Sequence, residues 1–524
     1  MRQLTSLDAQ VLALETPRQS GHVGGVAILD PSTRESGVLT GAHVQELIAE
    51  RLPLLPPLRW RLHEVPLGLD YPYWVDDPHF DLDFHVRELA LPSPGSDEQL
   101  AEQVARIVAR PLDRARPLWE LYLISGLESG HVALLSKIHH ALVDGMSGAE
   151  IMGLLLDLSP EGRELPPPRR WADDEAVPGQ LGMLARGLLG LPRYPVRAAR
   201  ALPSAVPNIM DTPFATLPGA RAVGRVAKGI ERRLTGQEGV VHARGYLPAP
   251  KTSFNGRVCA HRRFVFGQLP LDEVKAVKNA HGCTVNDVVV TLCASAVRRW
   301  LLEHGELPDG PLVAQIPVSV RTQKQIGTFG NRIMLMSAPL YTDEADPVTR
   351  LRRTHDALAG MKERHRALPA GLMQDANDFI PPAVFSRAAK LTFRLATSRP
   401  GRPTWNLVIS NVPGPPIPLY LAGAQLVANY PVSVITDGMG LNITVMSYCG
   451  HLDVGIVADR EQMPDASRLM GWLREALDEL LAAGQAGTIN DSTLPAGSVN
   501  QAIKGPPPRK TPRSSIASAI GEPG

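Results

Sequence analysis

The densest grouping of chemically capable side chains in this 524-residue chain is Lys137-Ile-His139-His140-Ala-Leu-Val-Asp144-Gly145-Met-Ser147-Gly-Ala-Glu150. A neutral imidazole, with an ordinary pKa of about 6.5, can take a hydroxyl proton in a transition state and return it to a leaving group. Adjacent residues on an extended chain point to opposite faces. His139 and His140 are therefore not expected to reach one metal ion together; one can face a cleft while the other is anchored inside. On the residues alone, a structural histidine pair stands as the alternative. Asp144-Gly145 reads as a turn, and Gly145 suits a positive φ or the close approach of a substrate.

These groups need elements to hold them. A strand, HVALLSKI over 131–138, should end at the two histidines. Beyond the turn, Ser147 as N-cap and Glu150 form a capping box, and Ile151, Leu154, Leu155 and Leu158 supply the stripe of an amphipathic helix. PLVAQIPVSV over 311–320 reads as another strand, while LDEVKAVKNAHG and VNDVVVTLCASAVRRWLLEHG read as helices closed by Gly282 and Gly305. The alternation is that of an α/β protein. Residues 403–436 carry no Asp, Glu, Lys or Arg, yet Pro413, Pro415, Pro416, Pro418 and Pro431 forbid a continuous helix and so a membrane span here. Buried strands joined by a proline-rich loop are expected instead.

Charge is balanced, 54 Lys plus Arg against 53 Asp plus Glu, which argues against nucleic acid as a main partner. Cys259, Cys283, Cys293 and Cys449 form no CxxC pair, so neither a disulfide framework nor a structural zinc is expected. Asp8 interrupts what would be the apolar region of a signal peptide, and the expected compartment is reducing and intracellular. Between Leu181 and Arg233, nine basic residues face two acidic ones amid apolar clusters. Such a segment reads as an interfacial amphipathic anchor for an anionic lipid surface, or as a crossover packed on the protein. The organisation read from composition is an N-terminal half to 165, a basic crossover over 166–250, a C-terminal half over 251–488, and a disordered tail over 489–524.

HHALVDG resembles the HHxxxDG motif of the bacterial wax ester synthase/acyl-CoA:diacylglycerol acyltransferase family, which is related to CoA-dependent acyltransferases and peptide-synthetase condensation domains. The opening LTSLDAQVLALETPRQSGHVGG, FDLDFHVRELALPSPG, Pro117-Leu118-Trp119, Asn286-Asp287, PVSVR, Thr328-Phe-Gly330-Asn331, SNVPGP and GLNITVMSY resemble family segments in family order, from residue 4 to about 480. One departure is Gly21, which stands where the family's Met-His-Val-Gly pattern has its methionine. The crossover and the tail also run long for the family.

The resemblance implies an α/β fold of two chloramphenicol-acetyltransferase-like domains, mixed sheets flanked by helices, with the active site in an interdomain tunnel. It implies His140 as general base, His139 as its structural neighbour, Asp144 as the residue orienting the loop, with Arg321 as its candidate partner, and Gly145 beside them. The implied reaction moves a long-chain acyl group from acyl-CoA, a substrate and not a cofactor, to diacylglycerol or a fatty alcohol, with no metal and no covalent acyl-enzyme. It also implies a cytoplasmic enzyme peripherally associated with the inner membrane or lipid inclusions. Pro117-Leu118-Trp119 and Asn286-Asp287 suggest packing and capping by their composition. The competing readings are a related HHxxxDG enzyme using a carrier protein or another acceptor, a catalytically silent lipid-body protein, and a metal site at His139-His140. The oxyanion donor is not identified by the sequence.

Overall fold

The computed structural model describes residues 1–143, 153–165, 178–190, 249–319, 333–366 and 403–492. Chain order begins β1 (Arg2–Gln3), α1 (Ser6–Leu14), β2 (His22–Asp30), α2 (Gly41–Arg51), β3 (Trp60–His63), β4 (Tyr73–Asp76), α3 (Leu82–His85), β5 (Val86–Ala90), α4 (Asp97–Val108), β6 (Trp119–Ser125), β7 (Val132–His139) and α5 (His140–Val143). After α6 (Gln180–Gly190) come β8 (Arg262–Pro270), α7 (Leu271–His281), α8 (Val285–Glu303), β9 (Leu312–Ser319), β10 (Ile333–Leu340) and α9 (Pro347–Arg366). The last elements are β11 (Leu407–Val412), β12 (Tyr420–Leu421), β13 (Ala424–Val432), β14 (Leu441–Tyr448), β15 (His451–Asp459) and α10 (Arg468–Ser492).

Two six-stranded mixed sheets carry the fold, in the orders β12-β13-β2-β7-β6-β5 and β10-β9-β11-β14-β15-β8, beside a small β1-β4-β3 sheet. The strand expected over 131–138 is β7. It sits inside the first sheet, and Val132, Ala133, Leu134 and Leu135 are buried on both faces, as a central strand requires. Val132 and Leu134 join a core with α2 and β6, whereas Ala133 and Leu135 face α4 and a cluster shared with Phe264 and Val457 of the second sheet. The charge-free stretch 403–436 forms β11, β12 and β13 with the proline-rich loop between them, all within sheet structure.

β12 and β13 follow the second sheet's β9, β10 and β11 in the chain, yet they pair into the first sheet, where β13 runs antiparallel to β2. At the crossing, a Cβ built on Gly455 of β15 would lie 1.8 Å from the Pro431 carbonyl oxygen, so the two sheets meet where no side chain intervenes.

Helix ends follow local chemistry. Ser96 caps α4 through a box with Gln99, and Thr284 caps α8 through a box with Asp287. Gly282 (φ 64°) and Gly305 (φ 65°) adopt the left-handed conformation expected after α7 and α8. Among the described residues no single helix is long and apolar enough to cross a membrane; α7 and α8 reach that composition only as a pair bent by 102°, and α8 is the core of the second lobe.

Two expectations change. The stripe Ile151, Leu154, Leu155, Leu158 does not run through one helix: helical structure ends at Leu155 and Leu158 is exposed. Asp157 instead exchanges backbone hydrogen bonds with Tyr420 of β12, of 2.8 and 2.9 Å, which draws the chain into extended form. The boundary expected at 489 falls inside α10, which continues to Ser492. In the crossover, α6 is helical and buries Met183, Gly187 and Gly190; Arg193, Arg197 and Arg200 lie outside the described residues.

Candidate active site

β7 ends on His139 and α5 begins on His140, so the adjacent histidines part at a strand-to-helix junction. The His139 ring is buried, with 2% of its side chain exposed, and its main-chain N–H donates to Leu118 O at 2.9 Å. The Ala141 amide donates to His139 Nδ1 at 3.1 Å. A ring nitrogen that accepts carries no proton, so His139 is the neutral tautomer with its hydrogen on Nε2. That Nε2–H donates to Glu15 Oε1 at 3.1 Å.

Glu15 follows α1 and is itself held on every side. Its Oε1 also accepts the Gly21 amide at 2.7 Å, and its Oε2 accepts from Arg114 Nη2 at 2.7 Å. Arg114 further donates to Leu12 O at 2.7 Å. Burial pushes the Glu15 carboxyl up, but hydrogen bonds from His139, Arg114 and Gly21 outweigh it and hold the carboxyl below the usual carboxylate range. Glu15 is therefore an anion throughout the physiological range. Arg114 also lines a cleft of about 430 Å³ between α1, the 62–72 hairpin and the start of α6.

His140 is half-buried, and its main-chain N–H donates to Gly21 O at 2.9 Å. At position 21, where the family pattern has methionine, this chain leaves no room for a side chain. A Cβ there would lie 2.7 Å from Val11 Cγ1 and 2.9 Å from His139 Nε2, so these neighbours already fill the space of a side chain.

On the His139 side of the sheet lies a row of buried polar groups. His22 is the cross-strand partner of His139 on β2, and its Nε2 bonds Val108 O at 2.7 Å. Burial first, and the nearby Lys137 charge second, bring the His22 pKa down to about 3. Lys137, also buried, donates to Glu120 at 3.4 Å, and Tyr122 donates to the same carboxylate at 2.8 Å. Burial pulls the Lys137 pKa down, partly offset by Glu120.

The family landmarks take supporting positions. Leu118 O receives the His139 amide, while Trp119 is buried, stacks on His85 with centroids 4.3 Å apart, and donates Nε1–H to Leu58 O at 2.7 Å. Asp287 caps α8 and pairs with His355 Nδ1 at 2.8 Å, and Asn286 Oδ1 accepts from Asn411 of the SNVPGP segment at 3.4 Å. Both read as packing and capping residues. Asp144, Gly145, Ser147, Glu150 and Arg321 lie outside the described residues. Among the described residues, no group of three or more His, Cys, Asp or Glu side chains could hold a metal ion. Glu15 and Arg114 were not singled out from the sequence: Glu15 meets His139 across 124 positions, and no local pattern marks such a pairing.

The lobed arrangement has known counterparts. The wax ester synthase/diacylglycerol acyltransferase from Marinobacter aquaeolei VT8 superposes with a TM-score of 0.64 at 29% identity, covering 93% of this chain and all of that one. The first condensation domain of the calcium-dependent antibiotic synthetase, 15% identical with a TM-score of 0.52 over 92% of this chain and 97% of its own, shares the fold. A Mycobacterium tuberculosis protein named as a diacylglycerol O-acyltransferase is 36% identical over 482 residues, 92% of this chain and 90% of that protein. A Mycobacterium bovis protein named likewise is 33% identical, over 90% of this chain and 97% of its own. The family model for the wax ester synthase/diacylglycerol acyltransferase catalytic domain matches residues 4–289, and the model for the WS/DGAT C-terminal domain matches 329–481.

Fold and paired-histidine junction together define a two-lobed acyltransferase. The chain belongs to the wax ester synthase/diacylglycerol acyltransferase family.

Proposed function

We propose that this enzyme transfers a long-chain acyl group from acyl-CoA to the free hydroxyl of diacylglycerol, and also to fatty alcohols, with His140 as general base. The observation that carries the reading is the division of labour at the β7–α5 junction. His139 spends both ring nitrogens on Ala141 and Glu15, so it is not the histidine that takes the substrate proton, and the HHxxxDG resemblance gives that role to His140. The acceptor hydroxyl gives its proton to the His140 imidazole as its oxygen attacks the thioester carbonyl. The tetrahedral oxyanion collapses, the C–S bond breaks, and the CoA thiolate leaves, taking the proton back from the imidazolium. Asp144 and Gly145 keep the roles that the resemblance implies. Direct attack needs no enzyme nucleophile, metal or cofactor.

Both substrates carry long alkyl chains, each methylene worth about 0.8 kcal/mol on burial, and they reside in membranes or lipid bodies. The relatives named above support the acceptor class by their names. We place the enzyme in the cytoplasm, peripherally bound to the inner membrane or lipid inclusions, with α6 as part of the contact: Leu181, Leu188 and Leu189 on its outer face are 82%, 52% and 76% exposed, beside Leu67 at 74%.

His140→Ala should abolish acyl transfer while keeping the fold. A folded variant retaining more than a tenth of wild-type turnover would refute the base assignment. For the acceptor, one radiolabelled acyl-CoA offered diacylglycerol and hexadecanol together should label triacylglycerol predominantly; label found only in wax ester would overturn that choice.

A further inference from the structure

We propose that Glu15 is a positioning residue for the paired histidines, holding His139 in a single tautomer and, through a closed circuit of hydrogen bonds, fixing the backbone on both sides of His140. The inference deepens the reading of His140 as base and rests on it. The circuit runs as follows. Glu15 Oε1 accepts from His139 Nε2 at 3.1 Å and from the Gly21 amide at 2.7 Å. Gly21 O accepts the His140 amide at 2.9 Å. The Ala141 amide returns to His139 Nδ1 at 3.1 Å. His140 is thus bracketed: its own N–H is tied to Gly21, and the residues before and after it are tied to each other through one imidazole ring.

One carboxylate oxygen closes the circuit. Without it, His139 loses the acceptor for its Nε2–H, and a buried, unpaired N–H is unfavourable enough to drive the ring to flip or to exchange its proton. Either change breaks the Ala141 bond: a flip turns the ring's Cδ2–H toward that amide, and proton exchange puts the hydrogen on Nδ1. Arg114 holds the second Glu15 oxygen at 2.7 Å, so the carboxylate cannot rotate away. The circuit also demands a residue without a side chain at position 21, since a Cβ there would press on His139 Nε2 at 2.9 Å. Glycine at 21 and glutamate at 15 are therefore one device. Since productive geometry tolerates displacements of only about 0.5 Å, loosening the backbone around His140 should reduce turnover and leave acyl-CoA affinity intact.

The test uses the full-length protein, with Glu15→Ala, Glu15→Gln and Gly21→Ala compared to wild type in acyl transfer from palmitoyl-CoA to diacylglycerol. Glu15→Ala should lower kcat at least tenfold with KM for palmitoyl-CoA within twofold. Glu15→Gln should fall between, because its amide oxygen can still accept both N–H bonds. Gly21→Ala should resemble Glu15→Ala. In parallel, ¹⁵N-histidine-labelled protein should give wild-type His139, identified by its loss in His139→Gln, one protonated nitrogen and one bare one, and Glu15→Ala should lose that single-tautomer signature. A Glu15→Ala kcat within twofold of wild type, or a His139 tautomer unchanged in that variant, overturns the proposal. If Glu15→Ala does not fold, the same criteria apply to Gly21→Ala. If the wild-type protein acylates no lipid alcohol, the functional reading falls, and the tautomer measurement still decides the role of Glu15.

Discussion

Two neighbouring histidines of identical chemistry receive opposite assignments because a strand turns into a helix between them. His139 is consumed by internal hydrogen bonding, and His140 stands at the first position of α5. A third histidine, His22, illustrates a different demand. It is buried beside Lys137 and kept neutral, its pKa brought down to about 3 from an unfolded value of about 6.5. A group whose folded pKa is depressed takes up its proton in the unfolded chain first. Its stabilising contribution is complete above pH 6.5 and is lost as pH falls toward 3, at up to about 1.4 kcal/mol per pH unit. Urea unfolding at pH 7 and pH 5 should therefore show wild type losing more stability on acidification than His22→Asn, by about 1–2 kcal/mol. Equal losses in the two proteins would refute this role.

At the scale of elements, the junctions matter more than the interiors. Asp157 shows why: buried, it pairs with Arg51 at 2.6 Å while its backbone bridges to β12, and so pins the chain just beyond the HHxxxDG segment. α6 is the opposite case. It rests on the 65–70 turn through Gly187 and Gly190 and turns three leucines outward with Arg186 as its one charged residue. We propose a lipid surface as what covers it, since such a surface suits exposed leucines flanked by basic sequence. Replacing Leu181, Leu188 and Leu189 together by serine should reduce co-sedimentation with vesicles containing phosphatidylglycerol at least threefold without lowering the melting temperature. Unchanged co-sedimentation would exclude α6 as the contact.

Across the whole molecule, the decisive feature is the exchange of β12 and β13. β13 supplies seven registered partners to β2, from Gln425–Asp30 to Val432–Gly24, and so completes the sheet that carries His139. β2 in turn carries His22 and contacts β7 along its length. An N-terminal fragment lacking 420–432 would expose the β2 edge and one flank of the buried cluster around Val26 and Ile28. Fragment 1–250 alone should therefore fail to give a cooperative thermal transition, and mixing it with fragment 251–524 during refolding should restore one. A cooperative transition in fragment 1–250 alone would mean that the first sheet folds without its exchanged strands.

Much of this was legible from residue order, for identifiable reasons. β7, α7 and α8 follow from apolar periodicity and from Gly282 and Gly305 at the helix ends, because those signals act over neighbours in the chain. The divergence of His139 and His140 was expected from strand alternation, whereas in the structure a strand-to-helix junction parts them. The helix expected through Leu158 failed because Tyr420, far away in the chain, offered Asp157 a backbone partner that overrode the local pattern. Glu15, Arg114 and the meaning of Gly21 were equally out of reach. Their partners lie across long loops, and a hydrogen bond between residues 124 positions apart leaves no spacing rule behind. Residue order alone was enough for the chemistry on offer, a paired histidine at a strand end in an α/β chain with the motifs of an acyltransferase family. The resemblance already made His139 the structural neighbour; what holds its ring came only from the fold, because a partly buried carboxylate and two backbone amides from distant parts of the chain converge there.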